Sequence, residues 1–303
     1  MKILVTGGSS TLGKHLQKLE PSAVYVSSAH CDLTNYDATI KLMEEHQPDI
    51  VIHLAALVGG IKDNIKNPVD YLEQNILINT NTIKAAFAVG VRRLIAVSST
   101  CIYPDVVAEY PMIESDVFRG PPTPTNFEYA YSKRCMIAQL EAYNKQYKTE
   151  YCYITPSNLY SELDAHKHDR AHYITALLDK IQQAECVGES TIKLLGTGKP
   201  LRQFTYAEDV AQIILLMIKY NVYSSFNVSN PETYSIDKLA SITLQSLNKV
   251  DWNIEYSNPE LDGQYRKDVS IAKLKKLFPE FIFTPFAIGI KKVYIEKIKQ
   301  QNG

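Results

Sequence analysis

The sequence predicts an α/β protein: a doubly wound parallel sheet with a smaller, mostly C-terminal α/β lobe. Two observations predict it. Short β-branched runs alternate with amphipathic stretches through the first half, and a glycine-rich turn joins the first run to the first amphipathic stretch. Ile3–Thr6, Val24–Ser27, Ile50–Ala55, Leu94–Ser98 and Tyr151–Thr155 read as buried parallel strands. Between them, Leu12–Leu19, Tyr36–His46, Val69–Val89 and Tyr129–Tyr147 carry apolar residues at helical spacing. Such alternation implies right-handed strand–helix–strand crossovers and a doubly wound sheet.

After about residue 160 the rhythm changes. A polar stretch, Ser161–Arg170, precedes a helix near His172–Ala184 and a Gly/Pro loop at Gly196–Pro200. A helix at Ala207–Tyr220 and a strand at Ser225–Ser229 are placed to return to the first sheet. Helices near Ile236–Asn248, Ile271–Leu277 and Pro285–Gln300 complete the remainder. The expected division is a Rossmann-type unit, residues 1–160 plus about 205–232, and a substrate lobe, about 161–204 plus 233–303. Ligands of such sheets sit beyond the carboxyl ends of the strands, so the cleft between the lobes is the expected site.

The bulk composition limits the function classes. A chain of 303 residues, 45% hydrophobic and 21% charged, can bury a large core. Its formal charge of −1 provides no basic field, so nucleic acid is not an expected partner. Cys31, Cys101, Cys135, Cys152 and Cys186 are scattered, odd in number and without C-x-x-C spacing. Neither a disulfide framework nor a metal site is expected, and a reducing compartment is. Met1–Gly7 runs straight into the glycine turn, so no signal peptide is expected and the cytoplasm is the expected location. The apolar run Ala211–Ile218 is too short for a membrane span, so no membrane partner is expected.

Gly7-Gly8-Ser9-Ser10-Thr11-Leu12-Gly13 follows the first strand and opens the first helix. Backbone N–H groups in such a turn meet a pyrophosphate, and its glycines allow close approach. Ser10 stands where such turns usually carry their central glycine. The second strand ends Val24-Tyr25-Val26-Ser27-Ser28 without the acid that would hold a ribose 2′-hydroxyl and repel a 2′-phosphate. That favours NADP(H), with Ser27, Ser28 and His30 as polar groups near the phosphate and Asp32-Leu33 near the adenine.

Tyr129 and Lys133, four residues apart, share a helical face. A phenol is a poor acid–base group near neutrality unless a cation stabilises its anion. Lys133 is expected to supply that field and to hold the cofactor ribose. Ser99, at the end of the fourth strand, is placed to hold a substrate carbonyl oxygen. Tyr131 is a rival phenol whose spacing points it away from Lys133.

The segments Thr6-Gly7-Gly8, His53-Leu54-Ala55-Ala56, Ser99-Thr100-Cys101-Ile102-Tyr103-Pro104, Tyr129-x-x-x-Lys133 and Pro156-Ser157-Asn158-Leu159-Tyr160 together resemble the extended short-chain dehydrogenase/reductases. Within them the chain looks most like the GDP-L-fucose synthase family, the 3,5-epimerase/4-reductases of GDP-4-keto-6-deoxy-mannose. That resemblance continues through Gly196-Thr197-Gly198-x-Pro200-x-Arg202-Gln203-Phe204 and Asp262-Gly263-Gln264 to Phe283-Thr284-Pro285-Phe286. It implies NADPH reduction at C4 with Tyr129 as proton donor, and epimerisation by the acid/base pair Cys101 and His172. A thiol and an imidazole suit that work because their ordinary pKa values bracket neutrality.

The resemblance also implies cofactor contacts from Leu54, Ala55, Ala56, Pro156, Asn158, Leu159 and His172. Nucleotide-sugar contacts are implied for Asn158, Lys180, Leu195, Arg202 and Asp262, and a homodimer through the helices Val69–Val89 and Tyr129–Tyr147. Two departures stand on the sugar side. Leu195 replaces the Trp usual before Gly-Thr-Gly, and Ser161-Glu162-Leu163-Asp164 replaces Gly-Pro-His-Asp. Loss of an indole opens volume, so a larger sugar such as a 6-deoxy-heptose, or C4 reduction alone after a separate epimerase, is the alternative. A 4,6-dehydratase would carry an acidic pair where Cys101-Ile102 stands, and a C4 epimerase has no use for Cys101. A non-catalytic NADP(H) sensor, the remaining alternative, would usually have lost Tyr129 or Lys133.

Overall fold

The structure, a computed structural model, describes residues 1–163, 173–259, 262 and 264–301. Its first half alternates β1 (Ile3–Thr6), α1 (Thr11–Leu19), β2 (Val24–Val26), α2 (Tyr36–His46), β3 (Ile50–His53), α3 (Ile61–Lys66), α4 (Pro68–Ala88), β4 (Arg93–Val97), α5 (Phe127–Tyr147) and β5 (Glu150–Pro156). Then follow β6 (Asn158–Tyr160), α6 (Tyr173–Cys186), β7 (Thr191–Leu195), β8 (Leu201–Arg202), β9 (Phe204–Tyr206), α7 (Ala207–Lys219) and β10 (Phe226–Val228). The chain ends with β11 (Tyr234–Ser235), α8 (Ile236–Ser246), β12 (Asn253–Ser257), β13 (Arg266–Lys267), α9 (Ala272–Leu277) and α10 (Phe286–Gln301).

Six strands form one parallel sheet in the order β10-β5-β4-β3-β1-β2. The chain leaves β1 toward β2 on one side, then crosses to β3 on the other, which creates a topological switch point beside β1. One face buries Leu12 and Leu16 of α1 with Val210, Ile213 and Ile214 of α7. The other buries Met43 of α2, Ile83 and Ala86 of α4, and Met136, Ile137 and Leu140 of α5. Coverage on both faces explains why β1, β3 and most of β5 are buried along their whole length rather than alternating. This is the doubly wound parallel α/β fold the sequence predicts.

A third apolar cluster lies outside this sheet. It joins Tyr160, Leu177 and Leu178 of α6, Ile192 and Leu194 of β7, Phe204, Leu239 of α8, and Phe286 and Ile290 of α10. Three small sheets accompany it: β11-β8-β13, β12-β7 and β6-β9. Strands β6, β8, β9, β11 and β13 escape a reading by periodicity, since two or three residues carry no period, whereas β7 and β12 have five residues each, alternate in burial, and are strands the sequence reading missed. The five cysteines are all free. Among the described residues no helix is long and apolar enough to cross a membrane, and no cluster of three His, Cys, Asp or Glu side chains is placed to hold a metal.

Candidate active site

Parallel pairing fixes where the loops emerge. Thr6 lies opposite His53, His53 opposite Ala96, and Val97 opposite Ile154. The carboxyl ends of β1, β3, β4 and β5 therefore line one edge. The glycine turn, the Leu54-Ala55-Ala56 segment, the Ser99–Cys101 turn and the Ser157-Asn158 segment all leave from that edge.

The glycine turn is built by close contacts. Gly7 has φ +73, and a Cβ there would lie 2.7 Å from Ala55 N. A Cβ on Gly13 would lie 2.5 Å from Gly8 O, so only glycine lets the helix start against its own turn. Ser10 is the N-cap of α1, its Oγ accepting from Gly13 N at 3.1 Å, which accounts for a serine where a glycine is usual. No acidic residue occupies the first turn of α1. The turn at Ser9, Thr11 and Leu12 thus offers a helix N-terminus with no negative charge of its own, which fits a pyrophosphate.

Gly8 N–H donates to Val26 O at 2.8 Å, bringing the end of β2 beside this turn. No carboxylate follows immediately on β2. Ser27 N–H donates to His30 Nδ1 at 3.1 Å, and the Ser27 hydroxyl lies 2.9 Å from the same nitrogen. Asp32, an exposed carboxylate, is held below its usual range by hydrogen bonds from the hydroxyl and N–H of Thr34. The Leu33 side chain is packed in the core, so only its backbone is available to an adenine.

His53 knits the layer beneath. Its Nδ1 pairs with Thr6 Oγ1 at 2.8 Å and its Nε2 with Asn79 Oδ1 at 3.0 Å. Burial, and then the Lys133 charge, push its pKa down to about 3, so the ring is neutral at physiological pH.

Ser99 N-caps a short 3₁₀ turn over Thr100–Ile102, its Oγ accepting from Cys101 N at 3.3 Å. Helix α5 brings Tyr129 and Lys133 to the same place. Lys133 is 1% exposed, and its Nζ donates to Val97 O at 3.0 Å, two residues before Ser99. Burial pushes the ammonium down to about 8. Tyr129 differs from expectation. Its phenol is pushed up, not down, first by burial and then by the nearby Cys101 and Tyr71 groups. Burial and these neighbours hold the phenol in its proton-bearing form. Tyr131 is partly exposed and packs on Phe127 at 4.5 Å between ring centroids.

The nucleotide-sugar candidates are less uniform. Arg202 on β8 is half-buried beside Asp262 and Tyr110, its Nη1 donating to Leu201 O at 2.8 Å. Asp262 accepts from Thr197 N at 2.8 Å and from the Thr197 hydroxyl. Both its oxygens therefore hold the Gly196–Gly198 turn. Lys180 donates to Lys193 O. Asn158 Nδ2 donates to Gln203 O at 3.0 Å, tying β6 to the link between β8 and β9, next to Arg202. Pro156 ends β5, and Leu159 packs at the edge of the α1–α7 core. Leu195 is 57% exposed at the end of β7. His172 lies outside the described residues.

Two groups at the site carry no sequence signal of their own. Lys267 on β13 points its Nζ at Cys101 Sγ, 3.6 Å away across 166 residues of sequence. Tyr71 donates to Asp63 Oδ2 at 2.6 Å, under Gly59. A Cβ on Gly59 would lie 1.9 Å from the Tyr71 hydroxyl oxygen, so glycine is what admits that phenol.

The sequence pattern of the NAD dependent epimerase/dehydratase family matches residues 3–229. The chain belongs to that family. Within it, a probable GDP-L-fucose synthase of Drosophila melanogaster is 32% identical over 324 residues, spanning 99% of this chain and 98% of its own. A GDP-L-fucose synthase of Dictyostelium discoideum is 34% identical over 300 residues, spanning 96% and 93%. Near-full-length likeness at this level places the chain in the GDP-L-fucose synthase branch of the family. Among solved structures, a GDP-L-fucose synthetase from Naegleria fowleri bound to NADP superposes with a TM-score of 0.90 at 31% identity, covering 99% of this chain and 93% of that one.

Proposed function

We propose that this protein is an NADP(H)-dependent oxidoreductase that reduces C4 of a GDP-linked 4-keto-6-deoxy sugar and epimerises it at C3 and C5. The observation that carries the reading is the gathering of Ser99, Cys101, Tyr129 and Lys133 at the carboxyl edge of β4, beside the glycine turn. GDP-L-fucose synthases among its relatives support the sugar class, and the NADP-bound relative supports the cofactor.

NADP(H) fits the residues present: the acid-free helix start at Ser9–Gly13, and Ser27, Ser28 and His30 where an acid would repel a 2′-phosphate. When bound, NADPH supplies the hydride for C4. Tyr129, kept protonated by its surroundings, hands its proton to the oxygen at C4. The Ser99 hydroxyl donates to that oxygen as negative charge grows on it. Lys133, anchored on Val97 O, turns its remaining donors to the cofactor ribose. Cys101 works at the carbons flanking the ketone, with His172 as the opposite acid in this reading. Arg202 and Lys180 face the diphosphate. In this reading residues 1–160 and about 205–232 hold the cofactor, and the rest forms the substrate lobe.

Leu195 favours one variant of this reading. An exposed aliphatic side chain beside the Gly196–Gly198 turn leaves room for a bulkier sugar, such as a heptose. The deciding assay follows NADPH consumption with GDP-4-keto-6-deoxy-mannose and with the matching heptose, in deuterated water. Turnover with deuterium at C3 and C5 supports the full reading. Turnover without deuterium leaves a C4 reductase alone, and no turnover with either sugar rejects the reading in favour of a sensor.

A homodimer belongs to the same proposal. Helix α4 exposes Val69 and Leu77, α5 exposes Phe127 and Tyr131, and the two helices pack side by side. An isologous pairing would cover these side chains. Light scattering should give twice the chain mass, and L77D should halve it.

A further inference from the structure

Lys267 is the partner of the Cys101 sulfur in this fold, and three observations explain why. Its strand β13 runs parallel to β8, with Lys267 opposite Arg202. Register partners share a face, so the two cationic residues emerge from the same side of the small sheet. The neighbouring Arg266 is taken by Asp268, through Nε at 2.6 Å and Nη2 at 3.0 Å. The closest acid in sequence is thereby spent on Arg266, and among the described residues the Lys267 ammonium has Cys101 Sγ as its recorded hydrogen-bond partner, at 3.6 Å. Finally, Cys101 acts electrostatically on the Tyr129 phenol, so the thiol that Lys267 contacts also lies near the reducing proton donor.

We propose that Lys267 is a positioning residue for Cys101: its ammonium hydrogen-bonds the sulfur and aims it at the sugar ring. The proposal rests on the epimerase part of the function given above. A thiolate, not a thiol, accepts a proton from carbon, and an adjacent ammonium favours the thiolate. In the step, the Cys101 thiolate takes a proton from the carbon beside the ketone, and the C–H electron pair moves onto the C4 oxygen as an enolate. Lys267 keeps its protons throughout. A second acid returns a proton to the opposite face of that carbon while the enolate pair reforms the ketone. The thiol then loses its proton to solvent, and the acid regains one. A reductase without epimerase activity has no need of this pair, so Lys267 bears directly on which chemistry the cleft performs.

The test compares wild type, K267M and K267R by two readouts. The first is the rate of Cys101 alkylation by iodoacetamide near neutral pH, read by peptide mass spectrometry, with the exposed Cys186 as internal control. K267M should slow Cys101 by about 10-fold and leave Cys186 unchanged, and K267R should restore most of the rate. The second is deuterium entry at C3 and C5, which should fall about 100-fold in K267M, while reduction of an already epimerised keto-sugar falls far less.

Equal Cys101 alkylation in wild type and K267M overturns the proposal, as does a fall that Cys186 shares. If K267M does not fold, K267Q replaces it, and unchanged Cys101 reactivity there is equally decisive. Failure of the underlying reading looks different. The wild type would then admit no deuterium, while the alkylation comparison would still decide the role of Lys267.

Discussion

Lys133 gives the sharpest test of how this site is held. It is 1% exposed, and burial moves its pKa from 10.5 to about 8. A lowered lysine pKa means the folded state binds fewer protons than the unfolded one between those two values. Stability should therefore rise with pH across that window, from about pH 8 upward to 10.5. Held charged at about pH 7, the buried ammonium costs about 3 kcal/mol, one pKa unit being about 1.4 kcal/mol. K133M removes that cost and also abandons Val97 O, whose lost partner returns about 1 kcal/mol. The variant should be more stable than wild type by about 2 kcal/mol near pH 7, while reductase activity nearly vanishes. Urea denaturation at about pH 7 and about pH 9.5 measures it. The stability gap should shrink to roughly zero at the higher pH, because the wild-type ammonium is then largely neutral in the fold. A K133M that is less stable at neutral pH, or a gap that ignores pH, refutes the claim that Lys133 is a strained, functional charge.

Further outcomes follow from the same geometry. Y129F should keep its fold and cofactor binding but lose about 100- to 10,000-fold in kcat, measured by NADPH consumption with a GDP-4-keto-6-deoxy sugar; undiminished turnover removes Tyr129 as the proton donor. His53, held neutral at about 3 against an ordinary 6.5, stabilises the fold fully above pH 6.5 and progressively less as pH falls toward 3. At about pH 5 the loss should be about 2 kcal/mol, and H53N should flatten that part of the stability curve; an equally steep curve in H53N would contradict the assignment. H30A should raise the KM for NADPH by about 10-fold and leave that for NADH unchanged, since a 2′-phosphate would lose one hydrogen bond to a charged group; equal effects on both cofactors count against the Ser27–His30 turn as the phosphate subsite.

Much of the fold was legible because it repeats locally. The strands of the large sheet are short β-branched runs, and the helices between them keep apolar residues on one face, so each announces itself within about ten residues. The glycine turn and the Tyr129–Lys133 pair were legible for the same reason, being local patterns whose spacing fixes their geometry. Boundaries shifted by one or two residues, and α3 was not anticipated because six residues hold no full amphipathic repeat. The short strands β8, β9, β11 and β13 left no trace in sequence.

By itself, then, the sequence determined the parallel sheet, the glycine turn and the Tyr129–Lys133 pairing on one helix, since each follows from contacts between near neighbours in the chain. Three things waited for tertiary structure. Burial raises the Tyr129 phenol where the Tyr–Lys spacing alone predicts lowering. Asp262 closes the Gly196–Gly198 turn through Thr197. Lys267 reaches Cys101 from a strand at the far end of the chain. Desolvation and long-range pairing depend on what the folded chain packs around a group, and no local pattern records that.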